Sequence, residues 1–368
     1  MVKANCLRVA GGMLIFLLCF VLLSPPGLGA EAEGEGPELT LWDVLEKARK
    51  RDHDVRKSAL ERDKAREEKH QAADALRDSY VHMTPEYEDD HRRAVMAELN
   101  YQMKSGEEEA ARSSLAVEVV EKYGRALDAE RKVELARQEL AAEEWDYKEA
   151  RARQRNGMLS LTELEQAGSF LEQKRSELAQ AEQALEKAYV ELNALMGRSP
   201  QRRPKLVTEL PYRPLEIGSM DAEVSRAVDS SEDLYALNRY VQIQRQELRL
   251  YFIDRDLQEY EVELAELQEA EAKSEIKKQV RRFYRDILSL EEKVASAEKS
   301  VKRAEQASHG AEVRCEAGMA PKGELIRAEA DLAGAREGLA RLQHAHVQAT
   351  ATYRNLTGRT IVPAEDDL

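Results

Sequence analysis

The sequence predicts an all-α protein built from long antiparallel coiled-coil hairpins in two tandem repeats. Its 368 residues are 34% charged and only 5% aromatic, which suits long solvent-washed helices better than one large buried core. Residues 219–309 contain neither glycine nor proline, so helices far longer than the globular average can form there. The third observation is that the chain matches itself at a fixed offset.

Composition and motifs argue against several classes of protein. The formal net charge is −14, whereas a nucleic-acid-binding chain would carry a basic stripe. The motifs GxGxxG, GxxxxGK[ST] and HExxH are absent. His344 and His346 would lie about 200° apart around a helix, so they cannot share a metal ion and are interpreted as seam or solvent-facing histidines. We therefore predict no enzyme activity, no cofactor, no metal site and no nucleic-acid partner.

Residues 1–32 are predicted to be an export signal peptide. Two basic residues precede an apolar run over 9–23, which is shorter than the roughly 20 residues of a membrane-spanning helix. The Ala-Glu-Ala at 30–32 matches the small-x-small cleavage rule, and cleavage after Gly29 or an uncleaved anchor are the alternatives. The exported chain keeps Cys315 as its one cysteine, so no internal disulfide is expected.

An internal duplication covers the exported chain. Residues 150–198 align without a gap on residues 311–359, and the fronts of the two copies align more weakly, with Ala48 on Ala227. Such self-similarity is the signature of a repeat. The predicted organisation is a first repeat at 33–199, a proline-rich linker at 200–219, a second repeat at 220–360 and a tail at 361–368.

Each repeat carries a seven-residue apolar period that ends in the same sequence, Gly-Arg. In the first repeat the period is formed by Leu164, Leu171, Leu178, Leu185 and Leu192. This spacing is typical of a coiled-coil seam, and in the second repeat it weakens where His346 replaces a leucine. Gly157 and Gly318 separate each seam helix from the charged helix before it. Each repeat is therefore predicted to be a long antiparallel helical hairpin.

The duplicated pattern resembles the TolC family of outer-membrane efflux proteins. The residues that carry the resemblance are Leu39-Thr40-Leu41, the stretch 52–55, and the run Tyr147, Gly157, Ser160, Glu163-Leu164, Ala167, Leu192, Leu195 and Gly197. The second repeat shows the same run over 313–358, and the resemblance covers roughly residues 38–360. It implies a trimer that forms a duct through the cell envelope, with a periplasmic adaptor and an inner-membrane pump as partners.

The resemblance further implies that the two hairpin tips form the periplasmic mouth of the duct, where adaptors dock. The predicted partner-binding residues are Gly157, Met158, Ser160, Glu163, Gly318, Met319, Pro321 and Glu324. The glutamates depart from the family's preference for aspartate. The alternative is that all these residues are turn formers only, because glycine supplies the positive φ of such a turn whether or not a partner binds.

The sequence departs from the family where the membrane barrel is expected. A membrane strand needs about 10 residues of alternating polarity with turn signals between neighbours. The corresponding stretches, 81–106 and 251–278, are crowded with charged residues, and the second has a helical period. We expect the barrel strands to be lost or vestigial, so that the chain does not span an outer membrane unaided, although membrane association stays open.

The function predicted from these features is that of an exported efflux outer-membrane component located in the cell envelope, in the periplasm or at the outer membrane. Its mechanism would be geometric, with hairpins packed side by side in an oligomer and no bond made or broken. The alternative is a coiled-coil scaffold of the envelope that has lost transport. A neighbouring adaptor or pump gene would favour transport.

Overall fold

The computed structural model describes residues 36–82, 87–207, 210, 212–250 and 255–361. The predicted signal peptide and nearly all of the predicted tail lie outside these residues. Within them the chain forms eight helices and two short strands. The helices are α1 Leu41–Arg51, α2 His53–His82, α3 Tyr87–Arg155, α4 Leu161–Leu195, α5 Met220–Ser230, α6 Glu232–Leu250, α7 Arg255–Glu316 and α8 Lys322–Leu356. The predicted all-α class is therefore confirmed.

Two helices run the length of the molecule. At 1.5 Å per residue, the 69 residues of α3 span about 100 Å and the 62 residues of α7 span about 90 Å. Helix α2 packs on the first part of α3 and α4 packs on the second part, whereas α6 and α8 pack on α7 in the same way. Helix α8 also packs on α3, which joins the two hairpins side by side.

The two halves have matching elements. Helices α1 and α5 both contain 11 residues, and α4 and α8 both contain 35. The hydroxyl of Thr40 caps α1 by accepting from the backbone N–H of Asp43, and Ser219 caps α5 by accepting from that of Ala222. The positive-φ glycines also come in pairs at equivalent positions of the duplication, 157 with 318 and 197 with 358.

The hydrophobic core lies where the short helices meet the long ones. In the first half its buried residues include Val44, Ala48, Val119, Tyr123 and Leu192. A second core in the other half includes Val224, Ala227, Val280, Ile287 and Tyr353. Because burial removes apolar surface from water, these two cores hold the middle of the molecule together, and the hairpins extend from them.

The predicted linker is packed against this core rather than free. Strand β2, Pro204–Leu206, pairs in parallel with β1, Gly36–Leu39, at the start of the first repeat. Farther along, Leu210 and Leu215 are buried in the first and second cores. The proline-rich segment therefore fixes the two halves to each other.

The stretches where the family's barrel strands were expected to be lost are helical wherever the structure describes them. In the first, α2 continues to His82 and α3 begins at Tyr87. In the second, α7 begins at Arg255. None of the helices in the described ranges has a stretch both long enough and apolar enough to cross a membrane.

Candidate functional site at the hairpin tips

The two hairpins turn with the same backbone geometry. After α3, the N–H of Gly157 donates to the carbonyl of Gln154 at 2.9 Å and that of Met158 donates to Arg153 at 2.9 Å. After α7, Gly318 and Met319 repeat the two bonds at 3.0 and 2.8 Å. This is the Schellman arrangement, and it requires the positive φ of 70° at Gly157 and 68° at Gly318. Other residues would be strained at either position.

The helices that leave the two tips begin differently. Ser160 and Glu163 form a capping box on α4, each side chain accepting from the other residue's backbone N–H. The hydrogen bonds from the Ser160 hydroxyl and backbone hold the pKa of the Glu163 carboxyl below its usual value. At the second tip, Pro321 caps α8 without a side-chain bond, and Glu324 instead pairs with Arg314 across the turn. The first tip is thus stabilised by hydrogen bonds within the first turn of α4, whereas at the second tip an ion pair connects α7 to α8.

Apolar side chains project from both tips into solvent. Met158 is 68% exposed and Met319 is 73% exposed, and no atom lies within 4 Å of the position that a Cβ would take at Gly157 or Gly318. Leu161, which is 63% exposed near Met158, was not predicted from the sequence. Flexible, polarizable methionine side chains suit a surface that binds another protein. The sequence did hold an indication for Leu161, because this residue comes three residues before Leu164, where the apolar period begins.

The two hairpins are joined close to their tips by residues that were also not predicted. The Nε of Arg327 on α8 donates to both carboxylate oxygens of Asp146 on α3 at 3.0 Å, and its Nη2 donates to Oδ1 of the same carboxylate. Next to this pair, Gly323 packs against the indole of Trp145, where an added Cβ would lie 2.5 Å from ring atoms. The Nζ of Lys322 lies 6.0 Å from the Trp145 ring centroid. Contacts between α3 and α8 therefore connect the two hairpins close to their tips.

Electrostatics support this junction. The hydrogen bond to Asp146 raises the pKa of the Arg327 guanidinium above its usual value, so the guanidinium stays charged. Burial, together with the nearby Asp146 carboxylate, raises the pKa of Glu143 on the same helix. Guanidinium and carboxylate in this two-bond geometry form one of the stronger ion pairs in proteins, although both side chains here are partly exposed.

The other residues singled out in the sequence form contacts between helices. His344 faces Asp128 on α3, whereas His346 faces Glu291 on α7 at 3.2 Å, and both imidazoles are buried. They are therefore seam histidines and not solvent-facing ones. Glu108, in a run of three glutamates at 107–109, is buried and pairs with Arg62 on α2 and Arg112 on α3.

Among the residues that the structure describes, no group of three or more His, Cys, Asp or Glu side chains is placed to hold a metal ion. Cys315 is a free thiol of intermediate exposure in the last turn of α7. Each tip presents a turn with a positive-φ glycine, an exposed methionine and a glutamate, Glu163 at the first and Glu324 at the second.

Comparisons with known proteins agree with this architecture. Residues 91–198 match the family model described as outer membrane efflux protein. In structure the chain is similar to the outer membrane protein VceC from Vibrio cholerae, with 16% identity and a TM-score of 0.61 over 88% of this chain and 97% of VceC. No curated protein sequence matches the chain.

Two further solved structures show the same fold. The chain is similar to CusC, with 15% identity and a TM-score of 0.63 over 90% of this chain and 96% of CusC. It is similar to the outer-membrane channel OprN, with 13% identity and a TM-score of 0.66 over 88% and 91%. Together with the family model over residues 91–198, these matches confirm the resemblance of the chain to the TolC family of outer-membrane efflux proteins.

Proposed function

We propose that the protein is a TolC-like efflux component that forms part of an export duct across the cell envelope, with a periplasmic adaptor and an inner-membrane pump. The observation that carries this proposal is the open-edged layer of long helices. In the described residues, α4 packs mainly on α3, and α7 packs on α8, α6 and α5. One edge of the layer is thus α2 with α4, and the other edge is α7.

Open edges of this kind favour a ring of copies. The two edges are different surfaces, so contact between them is heterologous, and heterologous contacts close into rings when the rotation between copies allows it. A ring of side-by-side helices encloses a lumen along the helix axes. We infer a homo-oligomer closed in this way, a trimer by resemblance to the family, with no catalytic step.

Both repeats contribute to the duct in this proposal. We infer a first repeat at 33–199 and a second at 220–360, each contributing one hairpin to the duct wall and one tip to its mouth. The partner-binding residues proposed at the tips are Gly157, Met158, Ser160, Glu163, Gly318, Met319, Pro321 and Glu324. The ion pair between Arg327 and Asp146 supports this proposal, because it connects α8 to α3 close to both tips.

Site-specific photo-crosslinking in cells tests the adaptor contact. A photoreactive residue replaces Met319 at the second tip or, as the matched control, Met103 on α3, which is also exposed but lies far from both tips. We expect Met319 to cross-link to a periplasmic protein encoded beside an inner-membrane pump, and Met103 not to do so. Cross-links to that protein from both positions, or from neither, would contradict the proposal.

The alternative function is a non-transporting coiled-coil scaffold of the envelope, and the same cells separate it from transport. Deleting the gene should raise the cellular accumulation of at least one compound in a panel of dyes and antibiotics if the protein is part of an export duct. Unchanged accumulation across the panel, with cross-links only between copies of this chain, would favour the scaffold.

A further inference from the structure

The segment that follows α4 returns to the start of the first repeat. The side-chain amide of Asn193 donates to the carbonyls of Arg202 at 2.8 Å and Pro200 at 3.5 Å. The hydroxyl of Tyr189 donates to the carbonyl of Pro204 at 3.2 Å. These bonds guide the chain into β2, which then pairs with β1. The end of the first repeat is thus fastened to its own beginning by a strand.

The segment that follows α8 at the end of the second repeat begins in the same way as the segment that follows α4. In the gap-free alignment of the two copies, Arg354 is equivalent to Asn193, and continuing the same offset past the aligned region places Ile361 on Pro200. The Nη1 of Arg354 donates to the carbonyl of Ile361 at 3.4 Å, as the amide of Asn193 does to that of Pro200. Gly358 has a φ of 63°, as Gly197 has a φ of 61°. Up to Ile361, where the described residues end, the two segments are therefore equivalent.

Two parts of the second repeat lack the partners that their counterparts have in the first repeat. Residues 215–218 stand in the second repeat where β1 stands in the first, yet they pair with no strand among the described residues. The hydroxyl of Thr350, the position equivalent to Tyr189, is buried with no hydrogen-bond partner in the same part of the chain. A buried polar group in this state costs stability unless something satisfies it.

Arg213, Arg354 and Arg359 lie close together near this part of the second repeat, and the carboxylate of Glu291 accepts from the backbone N–H of Leu215 at 2.8 Å. Arg354 is partly buried and has no carboxylate partner in the described ranges, and its pKa is lowered by burial and by the nearby cations Arg359 and Arg213. Glu223 is already shared by Arg359 and Arg226. Glu223 and Glu291 are thus engaged by other groups, which leaves Arg354 as a cation that an anionic segment would neutralise.

The chain itself carries such a segment. Residues 362–368 read Val-Pro-Ala-Glu-Asp-Asp-Leu, and continuing the offset of the aligned copies past residue 359 places 365–367 on β2 at 204–206. At about 3.3 Å per extended residue, the carboxylates at 365–367 reach roughly 13–20 Å from Ile361. Arg354 contacts the carbonyl of Ile361 and is close enough to Arg213 for the two charges to interact. The reach of the segment is therefore enough to bring its carboxylates beside both cations.

We propose that residues 362–368 dock as a strand beside residues 215–218, with the carboxylates at 365–367 paired with Arg213 and Arg354. The docked segment fastens the end of the second repeat to its beginning, as β2 does in the first. The proposal rests on the two-repeat organisation and is independent of transport, so it can fail while the proposed function stands.

Disulfide trapping tests the docking in the full chain with Cys6, Cys19 and Cys315 replaced by serine. The test pair is Ile217→Cys with Asp366→Cys, the positions equivalent to Glu38 and Lys205, whose side chains lie 3.1 Å apart across the β1–β2 pair. The positive control is therefore Glu38→Cys with Lys205→Cys. The negative control is Asp229→Cys with Asp366→Cys. Asp229 is exposed beside Ser230, which lies against Gly358, so an undocked segment would meet it readily.

We expect the pair 217/366 to form a disulfide at least fivefold faster than the pair 229/366, at a rate comparable with that of the positive control. Equal rates for these two pairs, or a faster rate at 229, would overturn the proposal.

A second measurement leaves Ile217 intact. Asp366→Lys combined with Asp367→Lys should lower the thermal midpoint at low salt by a few degrees, with the difference shrinking as salt screens the charges. The matched control Asp229→Lys should leave the midpoint within about one degree. An unchanged midpoint in the double variant would contradict the charge pairing.

Discussion

Replacing Gly323 with alanine is expected to loosen the junction between the two hairpins. An added Cβ would lie 2.5 Å from the Cδ1 and Nε1 atoms of Trp145, closer than such contacts occur, and an indole is a rigid neighbour. Either Trp145 or the start of α8 must shift. The shift would also disturb the contact between Lys322 and the indole ring. The perturbation is small in volume but falls where the hairpins pack together near their tips.

The magnitude follows from two opposing effects. Forcing a methyl group into a packed contact costs about 1–3 kcal/mol, whereas replacing glycine with alanine in a helix gains up to ~1 kcal/mol. The gain is smaller at Gly323 because it is the second residue of α8. The difference between these effects is an expected net loss of about 1–2 kcal/mol in the free energy of unfolding.

Gly338 provides a matched control on the same helix. No atom lies within 4 Å of its added Cβ, so Gly338→Ala should stabilise the protein by about 0.5–1 kcal/mol through helix propensity alone. Urea denaturation gives both changes, and the fluorescence of Trp145 in a Trp42→Phe background reports the junction directly. If Gly323→Ala stabilises the protein as much as Gly338→Ala and leaves the Trp145 spectrum unchanged, the packing argument is wrong.

Three further predictions concern charge and turns. Burial, followed by the neighbouring carboxylate of Glu109, raises the pKa of Glu232, so the cost of its charge to stability is absent at low pH and grows as pH rises through the raised pKa. Glu232→Gln should therefore gain a few tenths of a kcal/mol at pH 7 and flatten thermal midpoints between pH 4 and 7, whereas an unchanged pH profile would refute this origin. Arg327→Lys loses the two-bond pairing with Asp146 and should cost at most ~1 kcal/mol, with a smaller loss in 1 M salt; a loss that does not depend on salt would indicate packing instead. Gly157→Val forces a β-branched residue to a φ of 70° and should cost about 1–3 kcal/mol, measured by thermal denaturation. An equal cost for Gly168→Val, inside α4, would argue against strain at the turn.

Features set by local sequence were predictable. The seven-residue apolar period and the glycine before it marked α4 and α8, and the same turn forms at both tips because Gly157 and Gly318 supply the required φ. The helical character of the described part of 251–278 also followed from its period, whereas charge crowding in 81–106 predicted only the loss of barrel strands. These signals extend over a few helical turns, so one sequence is enough to show them.

Features set by contacts between distant segments were not predictable. Trp145 and Gly323 come from different repeats, and the sequence around either residue does not indicate that it contacts the other. The heptad pattern put His346 at the seam but could not show that Glu291 on α7 would meet it. Similarly, a run of three glutamates does not reveal that Glu108 is the one that pairs with an arginine on α2. Such contacts depend on how the helices are placed side by side, which local propensity does not determine.

Native mass spectrometry of the purified exported chain, at concentrations from nanomolar to tens of micromolar, tests the proposed duct most directly. We expect one closed species of fixed copy number, three by resemblance to the family, because two different open edges can close a ring only at a set number of copies. A chain that remains monomeric at every concentration, or that forms a ladder of sizes without an end point, would contradict the duct.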